Sequence, residues 1–386
     1  MKKFKFFLSA CLAALVFTSC SQDEELQVNS TRMKTIEITL ENAKFSPTRG
    51  LAGNKISSGD PVNVKDFKVF LLDHAGKEYS AKVSNGSADA QTYWSNEDLA
   101  GGALDMEFHY VDAGCSKIVA VANLGKDMSY EEFLQSQTLN IDNEQNQDEL
   151  SLYAEAELVK KGNEQHNDVN VNGGVVVSDV YEASLVLKPR ISRFEVDGFR
   201  VAFNATPKYQ EIQFTDILFD HYAPTSSLLT GVESTTRTEH LAELTNQTIV
   251  YNWFNNTSKP AAWYWDATPG VKVTPTAPAA AVTPLAYHTF SGSVIPRLVM
   301  KLIVDGQPAY IYSKGFYSTE KLTNGQPTLL TELEEGKIYR MSAQGVVDGS
   351  DGFIPVDEDD IDPMDRCLEI TVDVKDWVVE LVYPEF

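Results

Sequence analysis

The chain has 386 residues, with 55 acidic side chains against 32 basic ones and a formal net charge of −23 at pH 7. So acidic a protein repels nucleic acid and anionic membrane surfaces, which weighs against direct binding to either. Hydrophobic residues make up 43% and aromatics 10%, enough for real cores, and the length suits two domains once a leader is removed.

The N-terminus, "MKKFKFFLSACLAALVFTSC", places Lys2, Lys3 and Lys5 before a short apolar run. This reads as a secretory signal over residues 1–19, too short to span a bilayer. Thr18-Ser19-Cys20 resembles the lipobox of bacterial lipoproteins, in which the cysteine is acylated and becomes the new N-terminus. Phe17 stands where Leu is commoner, and plain secretion with cleavage nearby is the alternative. The next residues, "SQDEE", resemble the signal that sends Bacteroidetes lipoproteins to the outer face of the outer membrane; physically they are a solvated charge run.

Residues 36–41 read "IEITLE" and put Ile36, Ile38 and Leu40 on one face of a strand. "SPTRGLAGNKISSGD" follows, rich in Gly, Ser and Asn, and reads as an exposed loop of the kind proteases cut. Arg49-Gly50 is a trypsin-like cleavage point inside it. A cut there would release residues 20–49 with their strand and open an apolar groove lined by unpaired backbone groups.

The body reads as β. Segments 62–73, 116–124, 183–203, 211–220, 296–306 and 308–317 are rich in Val, Ile and Phe, and Gly, Asn and Asp bound most of them. "SYEEFLQSQ" (129–137) predicts a short helix with Ser129 as N-cap and Glu132 three residues on. Residues 140–180 read as polar loops around a strand at 150–159, and 224–285 as an irregular stretch with an extended Pro/Ala-rich tail. A boundary near Pro189 divides the body into 50–189 and 190–386. The expected fold is all-β: two tandem antiparallel β-sandwich domains with a short helix and long loops.

The chain ends in "LEITVDVKDWVVELVYPEF" (368–386), whose first six residues match "IEITLE" position by position. Leu368, Ile370, Val372 and Val374 share one face. The phase then shifts at Lys375-Asp376, and Trp377, Val379, Leu381 and Tyr383 align instead, which predicts a bulge or turn between two strand segments. Strands with one face pattern can fill one slot. A copy delivered from another molecule would close the groove by β-augmentation.

Catalytic chemistry has no visible constellation. The six histidines show no HExxH, no paired metal spacing and no triad, and there is no phosphate-binding Gly-rich loop. "VDEDDIDPMD" (356–365) reads as a solvated acidic turn or a cation site, without the alternation of a calcium loop. Tyr251, Trp253, Phe254, Trp263, Tyr264 and Trp265 form either a satellite core under a long loop or a sugar-stacking surface. Cys115 and Cys367 are two buried thiols or a disulfide. No enzymatic activity, cofactor or metal is expected.

Cys20, Thr48-Arg49-Gly50, "DFKVFLLDHAGK", "KIVAVANL", "SLVLKPRISRFEV" and "ITVDVKDWVVELVYPEF", in this order and spacing, resemble a fimbrillin of the Bacteroidales. Fimbrillins are the shaft subunits of type V pili, and the resemblance covers nearly the whole chain. It implies export as a lipoprotein to the cell surface, with the outer membrane as partner through the lipid on Cys20. It further implies cutting after Arg49 by an arginine-specific protease, so that the chain starts at Gly50, and polymerisation with identical or homologous subunits by strand exchange. Ile36, Ile38 and Leu40 would be the leader strand; Leu368, Ile370, Val372, Val374 and Trp377 would belong to the donor strand, with Trp377 its largest anchor. A host or bacterial surface ligand stays open. The rivals are a surface glycan-binding lipoprotein using Trp263–Trp265 and a tip or anchor accessory subunit. The intact C-terminal strand pair weighs against a tip, and Arg49 against an anchor.

Overall fold

The computed structural model describes residues 33–40, 43–46, 62–100, 106–145, 150–169, 172–203, 205–207, 209–237, 264–323, 326–342, 346–347, 367–376 and 379–382. Among them no helix is long and apolar enough to cross a membrane.

The first half starts with strands β1 (Lys34–Leu40), β2 (Ala43–Ser46), β3 (Val62–Val64), β4 (Phe67–Leu72), β5 (Glu78–Tyr79) and β6 (Tyr93–Trp94). Helix α1 (Asn96–Ala100), β7 (Glu107–Val111), β8 (Lys117–Ala122), helix α2 (Tyr130–Ser136) and β9 (Thr138–Asn140) come next. A 3-10 turn (Asn143–Gln145) leads to β10 (Leu152–Glu157), β11 (Val159–Val169), β12 (Val175–Leu185) and β13 (Lys188–Pro189). Two main sheets result, ordered β11-β12-β1-β7 and β13-β10-β8-β4-β5, and their apolar faces share one core. β4 is buried on both faces because α2 covers it: Phe70 stacks on Phe133 at 5.6 Å between ring centroids. Its buried Lys68 reaches Asp127 at 2.8 Å, so the charge is paired rather than stranded. The Ser129 side chain accepts from the Glu132 N–H and the Glu132 carboxylate from the Ser129 N–H, the capping box that the sequence predicts.

The second half contains β14 (Ile191–Ala202), β15 (Ile212–Asp220), β16 (Thr225–Ser227), β17 (Tyr264–Val273), β18 (Ala279–Phe290) and β19 (Arg297–Val304). It continues with β20 (Gln307–Thr323), β21 (Gln326–Leu329), β22 (Lys337–Ser342), β23 (Val346–Val347), β24 (Cys367–Asp376) and β25 (Val379–Val382). The main path runs β17-β15-β19-β20-β24-β22-β14-β18. It folds over on itself, since Phe194 of β14 meets Phe219 of β15 at 5.4 Å and Phe316 of β20 at 5.0 Å. Tyr339 of β22 stacks on the same Phe194 at 5.3 Å.

Two stretches differ from the sequence expectation. Residues 159–185 include a long hairpin, β11 against β12, from Val159↔Glu182 to Val169↔Val175. Its side chains are largely polar and exposed, so the backbone ladder is the element and the apolar pattern that betrays a strand is weak. Likewise β17 and β18 turn within the Pro/Ala-rich tail, where Thr274 and Ala277 exchange two backbone hydrogen bonds of 3.0 Å.

The halves are tied together at several points. β9 pairs with β16. Gln145 Nε2 donates to the His288 carbonyl at 2.8 Å, and His288 Nδ1–H donates to the Glu144 carbonyl at 2.6 Å. Arg190 lies 4.3 Å over the Tyr153 ring and donates to both carboxylate oxygens of Glu335 at 2.7 and 2.8 Å.

Antiparallel ladders join most neighbours, yet the sheets are mixed. Parallel pairing occurs at β1–β12, β14–β22, β14–β23, β20–β24, β2–β25 and β3–β25. A parallel neighbour cannot be reached by a hairpin and needs a long crossover. Each of these pairs accordingly joins segments far apart in the chain.

Candidate functional site

β1 is an interior strand. It pairs parallel with β12, Ile36↔Tyr181, Ile38↔Ala183 and Leu40↔Leu185, and antiparallel with β7, Ile36↔Phe108. The Ile38 N–H donates to the Met106 carbonyl at 3.1 Å. Ile36 is 0%, Ile38 7% and Leu40 9% exposed, all within the core. Removing β1 would therefore expose two backbone edges and an apolar trough together.

The opposite face of β1 is polar and also held. The buried Thr35 hydroxyl bonds the Ser178 hydroxyl at 2.6 Å, and Ser178 donates to Asp168 Oδ2 at 3.3 Å. Lys161 of β11 donates to Glu37 at 2.7 Å. Lys34, by contrast, starts the Ile36 side of the strand: it bonds the Cys115 carbonyl and lies 4.3 Å over Tyr181, while burial holds its pKa below the usual lysine value. Asp168 carries the network on to His166 and His109, whose rings are 5.0 Å apart over a cleft bordered by Val83, Ser84, Ala90 and Gln91. Sequence spacing had paired no histidines, because these two meet only through the fold of the sheet. The repeated i, i+2 pairs Glu107/His109 and His166/Asp168, which put both side chains on one strand face, were the available signal.

The C-terminal strands are also interior. β24 lies between β20, in parallel, and β22, antiparallel. Leu368 sits beside Ser313, Ile370 beside Phe316 and Val372 beside Ser318 in the parallel register; Val374 sits beside Tyr339 in the antiparallel one. The segment beyond the phase shift forms β25 in another sheet, parallel to β2 on one side and β3 on the other. Val379 thus lies beside both Ala43 and Val62.

Cys20, Arg49, Gly50 and Trp377 lie outside the described residues, as do 356–365 and Tyr251, Trp253, Phe254 and Trp263. Tyr264 and Trp265 fall in β17, beside Leu218 and Ile217 of β15. Cys115 is a buried free thiol, and burial pushes its pKa up to about 12, so it is chemically inert at neutral pH. Cys367 begins β24.

The site is thus an interior strand slot in an all-β protein, with a second strand of the same face pattern near the other terminus. No family model and no curated protein matches the chain. Solved structures do. A candidate cell adhesion protein from Bacteroides eggerthii is 14% identical and covers 92% of this chain and 98% of its own, with a TM-score of 0.45. A fimbrilin from Porphyromonas gingivalis is 10% identical, covering 90% and 99%, with a TM-score of 0.49. The tip fimbrial protein Mfa3 from the same species is 10% identical, covering 82% and 95%, with a TM-score of 0.34. At such identities and scores the likeness assigns no role to any residue of this chain.

Proposed function

We propose that the chain is a structural subunit of a cell-surface fimbria, made as a lipoprotein on Cys20, activated by cutting after Arg49 and polymerised by strand exchange. The observation that carries this reading is the shared setting of β1 and β24. Each is flanked by one parallel and one antiparallel neighbour, and the two sequences share one apolar alternation.

The placement of β2 adds a coupling. A cut after Arg49 detaches β1 and β2 from the body on one segment. Loss of β1 opens the groove between β12 and β7. Loss of β2 strips one of the two ladders that hold β25. One cleavage therefore prepares the acceptor groove and loosens the end of the donor. β24 must still leave its ladders with β20 and β22, which sets a barrier to exchange and keeps uncut subunits monomeric. Identical or homologous subunits are the partners, and an arginine-specific protease is the trigger.

The experiment is mass spectrometry of the protein taken from cells, with unboiled gels alongside. The subunit reading expects a chain starting at Gly50 that runs as a ladder. A monomer starting at acylated Cys20 would overturn it and favour a glycan-binding lipoprotein.

A further inference from the structure

We propose that Glu107, His109 and His166 form a binding site for one divalent transition-metal ion, with Zn2+ the best match to the donors. Glu107 Oε1 lies 3.3 Å from His109 Nε2 and 3.8 Å from His166 Nε2. One ligand atom from each residue falls within 4.8 Å of the other two. Separations of this size suit three corners of a tetrahedron around an ion with bonds of roughly 2.0–2.2 Å. Two imidazoles and a carboxylate suit Zn2+ and its neighbours, whereas Ca2+ and Mg2+ prefer oxygen alone.

Asp168 is the second, independent observation. It is 1% exposed, and its Oδ1 lies 3.0 Å from His166 Nδ1 and 2.8 Å from His109 Nδ1. A buried carboxylate behind the Nδ1 atoms favours the Nδ1–H tautomer and turns the Nε2 lone pairs toward the ion, as in carboxylate–histidine–metal arrangements. Ser178, bonded in turn to Thr35, supports the other Asp168 oxygen. The His109 Nδ1 contact is close without being a regular hydrogen bond, so Asp168 orients this ring by its charge and proximity. A fourth coordination place faces the cleft beside Ser84 and Gln91, open to water or to an incoming side chain.

An ion here would join β7 to β11, the outer strands of the sheet that has β12 and β1 inside. The site stands on its own geometry and does not depend on strand exchange.

The test is calorimetric titration of ZnCl2 into the EDTA-stripped full chain, with thermal melts beside it. One ion per chain is expected, with a rise in melting temperature. His166 is half-exposed, so His166→Ala should fold and should lose at least tenfold in affinity along with the thermal shift. Asp168→Asn, which leaves all three ligands in place, should weaken binding about 10–100-fold. Absence of binding at one ion per chain, or equal binding by His166→Ala and the native chain, would overturn the site and leave ordinary histidine–carboxylate pairs.

Discussion

Ile38 of β1 and Ile370 of β24 hold corresponding places in two different sheets: Ile38 lies beside Ala183 of a parallel strand, and Ile370 beside Phe316 of a parallel strand. Each of the two strands has an antiparallel neighbour on its other side. A strand with this pair of neighbours cannot be laid down by a hairpin on its parallel side. It is inserted between strands whose own connections lie elsewhere, so it can be withdrawn without cutting a turn. That property, with a shared apolar alternation, is what exchange between molecules requires.

Cleavage is the first consequence. Arg49→Ala should leave full-length lipoprotein on the cell and stop polymerisation, because the segment bearing β1 and β2 stays tethered. Immunoblots of unboiled surface extracts would show one band and no ladder. Pili of normal length on Arg49→Ala cells would remove Arg49 from the account.

Ile36 measures the hold of the slot on its resident strand. It is fully buried, and Ile36→Ala should cost about 2–5 kcal/mol, the range for large-to-small changes in a packed core. Urea unfolding of the uncut chain gives the value. A loss below about 0.5 kcal/mol, ordinary for a surface change, would mean that β1 does not fill the core as described.

His288 and Glu144 set opposing pH dependences. Burial, with the Arg193 charge adding to it, holds His288 down to about 3 against an ordinary value of 6.5. Below pH 6.5 the unfolded chain therefore takes up a proton that the folded chain refuses, and stability falls as pH drops toward 3. Burial raises Glu144 from 4.5 to about 6, so the folded chain takes that proton first and stability rises as pH falls from 6 to 4.5. Below 4.5 only the His288 slope remains of this pair, up to about 1.4 kcal/mol per pH unit. His288→Gln can still donate to the Glu144 carbonyl and should flatten the curve by that amount between pH 4.5 and 3. Denaturant titrations of both chains should diverge in slope there; parallel curves would contradict the assignment.

Strands with strong alternation were legible in the sequence: Ile36, Ile38 and Leu40 are buried together, and the segment after Lys375-Asp376 enters a different sheet. Ser129 and Glu132 announced α2 because a capping box is a local signal. The β11–β12 hairpin was hidden because its ladder carries mostly polar, exposed side chains. The parallel insertions were hidden because nothing local encodes a partner that lies more than fifty residues away, as Val180 does from Thr35 and Cys367 from Tyr312. The meeting of His109 and His166 is of that kind too.

Strand exchange itself is tested most directly by two engineered cysteine pairs in assembled pili, in a Cys367→Ser background. Ala183→Cys with Ile370→Cys places one thiol beside Ile38 in the leader slot and the other on the donor. Phe316→Cys with Ile370→Cys reports a donor strand still resident in its own sheet. The account predicts that the first pair yields covalent ladders between subunits and that the second pair fails to close. Pili in which only the Phe316–Ile370 pair closes, within single chains, would contradict it.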